Sequence, residues 1–142
     1  MRKSTLGRLA LPLLAVAVVL SLPASLHAQQ GKAHVEQALA TDNKNELTEK
    51  VSFPAATGTI YVYAMLDELP AGAKVSAAWI ALKTDQLEDN TRFHETSKPM
   101  GPGTFQYFFN FKPAKTWPIG TYRVDIAING RVEKSVHFKV TK

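Results

Sequence analysis

The chain has 142 residues, 45% of them hydrophobic and 20% charged, with a formal net charge of +5 and no cysteine. That length suits one ordinary domain, and the missing cysteine excludes a disulfide framework, lipid attachment through a thioether and a thiol nucleophile. The positive charge is mostly confined to the first few residues, so it gives no support for nucleic-acid binding, which needs a clustered basic face with aromatic stacking positions.

In chain order, Arg2, Lys3 and Arg8 precede an uncharged apolar run from Leu9 to Leu22, and Pro23 to Ala28 follows with small residues. The run is shorter than the ~20 residues a membrane span requires, and its flanks fit a secretory signal peptide cut after Ala28. Removing residues 1–28 takes away three of the 17 basic residues and none of the 12 acidic ones, so 14 remain against 12 and the formal charge falls to +2. The expected location is periplasmic or secreted, and the mature form is not expected to span a membrane. Residues 29–43 read as a polar leader in which Val35, Ala38 and Leu39, at i, i+3 and i+4, form the stripe of a short helix or belong to a disordered segment.

From residue 44 to 142, runs of alternating apolar residues are separated by proline, glycine or clustered polar residues. The predicted strands are 47–53, 59–66, 75–83, 91–96, 104–111, 121–128 and 132–140. Phe105, Tyr107, Phe109 and Phe111 share one face of the fifth and are expected in the core beside Ile60, Val62, Ala64 and Leu66. In the sixth, Tyr122, Val124, Ile126 and Ile128 alternate with Thr121, Arg123, Asp125 and Ala127. Asn129-Gly130 then supplies the two positive-φ residues of a type I′ hairpin turn. Val132, Val136, Phe138 and Val140 continue inward on the last strand, with Lys134 the one break in that register.

Trp117-Pro118-Ile119-Gly120-Thr121-Tyr122 forms a corner before the sixth strand, and Trp79 lies in the middle of the third. Together with the Asn-Gly turn and the closing Phe138-Lys139-Val140, these residues resemble the end of immunoglobulin-like domains in secreted bacterial proteins. The resemblance covers about a fifth of the chain. It implies an all-β, immunoglobulin-like antiparallel β-sandwich of about seven strands, with Tyr122 anchoring the corner and Trp79 buried. No cysteine pair flanks Trp79, so the fibronectin-like or bacterial immunoglobulin-like variety is the nearer one.

Pairing of the second and fifth predicted strands would set Tyr61, Tyr63 and Met65 beside Phe108 on an outward face. Such an apolar patch is covered by the leader or a loop, or else binds a partner protein or a sugar ring. The strand 91–96 is a second contact surface, through strand addition. His94, Met100 and His137 are side chains that copper accepts, and they define the alternative reading, a periplasmic metal carrier. Asp85, Glu88, Asp89 and Asn90 read as an exposed acidic turn, since the ligand order of a calcium loop is missing. No G-x-S-x-G elbow, H-E-x-x-H pair or phosphate-binding glycine loop is present. The expectation is therefore a non-catalytic exported domain with no cofactor and no nucleic-acid partner, recognising an envelope protein or glycan, its oligomeric state open.

Overall fold

The computed structural model describes residues 32–142. The proposed signal peptide, and the first three residues of the leader, lie outside the described residues. Eight strands follow in order: β1 His34–Thr41, β2 Ser52–Pro54, β3 Ile60–Leu69, β4 Ala73–Thr84, β5 Thr91–Met100, β6 Gly103–Phe111, β7 Gly120–Ile128 and β8 Arg131–Thr141. They form a three-stranded sheet in the order β1-β3-β6 and a five-stranded sheet in the order β2-β8-β7-β4-β5. Every pairing is antiparallel except the short parallel contact of β2 with β8. This is an immunoglobulin-like sandwich.

Period-two alternation builds the core, because successive side chains of a strand leave on opposite faces. Ile60, Val62, Ala64 and Leu66 of β3 are fully buried, as are Val75, Ala77 and Ala81 of β4 and Val124 and Ile126 of β7. Trp79, 1% exposed, stands among the rings of Phe111, Trp117 and Phe138, each 6.1–6.3 Å away centroid to centroid. Tyr122 stacks on Phe138 at 5.1 Å, and its hydroxyl donates to the Pro118 carbonyl at 2.5 Å, closing the corner. Asn129 and Gly130 take φ of 51° and 84° in the β7–β8 turn. Asn129 also ties that hairpin to β4, accepting from the Lys74 N–H at 2.9 Å and donating to the Lys74 carbonyl at 2.8 Å.

Four expectations are corrected. The leader is no helix: residues 34–41 are the first strand of the sandwich, so the domain begins ten residues before Lys44. A bulge between Val35 and Gln37 inserts Glu36, which places Val35 and Ala38 on the inner face three positions apart. That spacing imitates a helical stripe, whereas hydrogen bonding to β3 supplies what a short isolated helix lacks. The stretch 47–53 is mostly not strand. Lys50 N–H donates to Ala40 in one sheet and Lys139 N–H donates to Val51 in the other, so this segment crosses between layers, leaving Leu47 and Val51 exposed.

The third correction concerns β8, where a register shift opposite Ile126 and Ala127 leaves Glu133 as an extra residue. Val132, 54% exposed, consequently turns away from the core. The fourth concerns β6: Phe109 is buried, but Phe105 is 38% exposed and Tyr107 and Phe111 are only partly covered. The reason is position, since β6 is an edge strand with a strand neighbour on one side only.

Candidate functional site

At the corner end of the sandwich, Leu87, Phe93, Phe111, Pro113, Ala114, Trp117, Pro118 and Tyr122 line a cavity of about 230 Å³. Trp117 is held there by its indole N–H, which donates to the Gly58 carbonyl at 2.6 Å, while Phe93 meets Phe111 edge-on at 5.2 Å. Burial pushes the Tyr122 phenol well above its usual range, and the Asp85 carboxylate pushes it further. That phenol is the one titratable side chain of the lining, and its hydroxyl is engaged by Pro118. Such a cavity can shelter a small apolar group.

β3 and β6 pair as expected, with Tyr63 opposite Phe108. The rings of Tyr61 and Phe108 meet edge-on at 6.3 Å, and Tyr63 lies 5.3 Å from Phe108. Tyr61, Met65 and Phe108 keep partial exposure, but Tyr63 is only 3% exposed, flanked across the sheet by buried Leu39 on the other side. Tyr63 is thus a packing residue and not an available contact, because β1 occupies the place that the sequence assigned to a leader.

The copper-type residues are not brought together. His94 is opposite Trp79 on β5 and packs its ring on Phe111 at 4.8 Å. His137 is exposed between the buried Val136 and Phe138, and so points to the outer face of the same sheet. Three strand spacings, about 14 Å, separate their strands. Met100 is buried at the far end of β5, six residues and ~20 Å along the strand from His94. Scattered in this way, the three cannot share an ion.

Among the described residues four strands end a sheet, β1 and β6 in the three-stranded sheet and β2, only three residues long, and β5 in the five-stranded one. β5 carries Arg92, Glu95, Lys98 and Pro99, the charges and proline that keep an edge from pairing. β6 reads GTFQYFFNF, with neither charge nor proline and with four aromatic side chains on one face. On its flank the Lys98 ammonium lies 5.0 Å over the Tyr107 ring, and Phe93 and His94 of β5 pack on Phe111, which leaves Phe105 the most exposed of the four. The composition of this run is visible in the sequence, but its place at an edge is not, because edges are set by the order of strands.

No family model matches the chain, and no curated protein matches it. Among solved structures it is similar to a Pseudomonas fluorescens alkylpurine DNA glycosylase, AlkC, bound to DNA containing an abasic site analogue, with a TM-score of 0.55 and 15% identity. That match covers 83% of this chain and 33% of the glycosylase, so the chain spans about a third of that protein's length. It is also similar to an immunoglobulin-like protein from Pseudomonas aeruginosa, with a TM-score of 0.48 and 13% identity, covering 80% of this chain and 99% of the other. Likeness at such identity speaks to fold alone.

Proposed function

We propose that this chain is an exported, non-catalytic immunoglobulin-like module of the cell envelope, and that it recognises an extended polypeptide through β6. The observation that supports this reading is the uncharged edge of the three-stranded sheet, where Phe105 and Tyr107 remain partly exposed and no described strand pairs with the outer side of β6. An added strand would satisfy the open N–H and C=O groups of β6 and cover those two rings, giving affinity from the main chain and selectivity from the side chains. The sandwich supplies a rigid frame for that contact.

The test is photo-crosslinking from β6 in protein recovered from an envelope fraction, with its N-terminus sequenced. The expected N-terminus is Gln29, and crosslinks to a partner should form from β6 and fall at least tenfold in the double variant Phe105→Glu, Tyr107→Ser. The double variant should lose about 2–4 kcal/mol of stability, because both rings are partly buried and Tyr107 packs on Phe109, so its crosslinking is scored on protein whose far-ultraviolet spectrum matches the parent. Unchanged crosslinking in that variant, or crosslinks confined to the outer face at Tyr61 and Phe108, would refute strand addition at β6.

A further inference from the structure

On the outer face of the three-stranded sheet, opposite the face that carries Phe105 and Tyr107, two bulges bring three ligand-bearing side chains together. The bulge of β1 adds Glu36 to the outer face beside His34, and His34 lies directly opposite Asp67 of β3. β3 has its own register shift between Leu66 and Leu69, where Glu68 takes a positive φ of 55°. One atom each from His34, Glu36 and Asp67 lies within 4.8 Å of the others. From these placements we infer that His34, Glu36 and Asp67 form a binding site for a divalent transition ion of the zinc class.

The chemistry of the donor set selects the ion. One imidazole and two carboxylates suit Zn²⁺, whereas Ca²⁺ and Mg²⁺ prefer six or more oxygens and Cu(I) prefers sulfur. Tetrahedral Zn²⁺ with bonds of about 2.0–2.2 Å needs donors roughly 3.4 Å apart. His34 Nε2 and the Glu36 carboxylate are already 2.9 Å apart, and partly exposed side chains can close the remaining gap to Asp67 by small rotamer adjustments. Water would complete the coordination.

The ligands are also oriented in the manner metal sites require. The His34 Nδ1–H donates to the Lys32 carbonyl at 2.8 Å, which leaves Nε2 as the atom facing the carboxylates. Asp67 Oδ1 accepts from the Thr104 hydroxyl of β6 and from the Glu68 N–H, and these contacts fix the orientation of its carboxylate. Its second oxygen is left for an ion. Without a cation, the Nε2 proton bridges to Glu36. Zinc would take the place of that proton, which passes to solvent.

Calorimetric titration of untagged full chain with Zn²⁺ alone tests the site. One saturable equivalent is expected, with affinity falling at least tenfold in His34→Ala and in Asp67→Asn, and unchanged in the double variant His94→Ala, His137→Ala. Thr104→Val should weaken binding by about tenfold, as loss of an outer partner of a ligand does, while leaving the stoichiometry at one. These side chains are at the surface, so the unfolding midpoints of all variants should stay close to that of the parent. Absence of saturable binding, retention of full affinity in His34→Ala, or loss only in the His94, His137 variant would overturn the assignment.

Discussion

Replacing Tyr122 by phenylalanine tests the corner with a single atom. The ring would keep its stack on Phe138 and its edge contact with Trp117 at 5.5 Å, so nearly all apolar burial survives, and the change is confined to the hydroxyl that donates to Pro118. A neutral hydrogen bond contributes about 0.5–1.5 kcal/mol net, and a carbonyl left unpaired in a half-buried corner adds a penalty in the range of about 1–3 kcal/mol if water cannot reach it. Pro118 retains partial exposure, so a loss of about 1–2 kcal/mol is expected. With a urea m-value of ~1–2 kcal/mol/M for a domain of this size, the midpoint should fall by about 1 M. Tyr107→Phe serves as the control and should shift the midpoint little.

The same residue sets an alkaline limit. Because burial and Asp85 raise the folded phenol above its unfolded value of ~10, the unfolded chain gives up this proton first as pH rises. The stabilisation is complete below pH ~10 and disappears as pH climbs toward the folded value. Unfolding midpoints of wild type and Tyr122→Phe should accordingly converge above pH ~10. An unaltered midpoint for Tyr122→Phe at neutral pH, or an equal fall for Tyr107→Phe, would refute the corner's role.

Two further substitutions probe the frame. Gly120→Ala would drive a Cβ into the Lys83 carbonyl from a backbone at φ +152°, and since the obstacle is main chain the sheet must shift; urea unfolding should show a loss of more than about 2 kcal/mol. A chain beginning at Lys44 would lack β1, uncovering Tyr63 beside a new sheet edge and removing buried Val35, Leu39 and Ala40, and it should show neither a cooperative transition nor a native far-ultraviolet spectrum. A cooperative transition like that of the full chain would return residues 34–41 to the status of a dispensable leader.

The fold was legible where alternation, turn chemistry and burial agree. Tyr122 through Ile128, the Asn129-Gly130 turn and Trp79 each carry a local signal, because a strand's period, a positive φ and a bulky indole are properties of a few neighbouring residues. Bulges defeated that reading at both ends. Glu36 and Glu133 each add one residue, which mimics a helix in one place and misdirects Val132 in the other. The candidate sites were hidden for a related reason: His34 looked like part of a leader, while His94 and His137 looked like partners until sheet order separated them.

By itself the chain determined a cysteine-free all-β domain and its tyrosine corner, both of which follow from composition and short-range spacing. Tertiary structure alone decided that β1 belongs to the sandwich, that β6 is an edge and that His34 faces Asp67. Strand order and register arise from pairing residues far apart in the chain, and a period-two pattern identifies which face of a strand is apolar without specifying its neighbour.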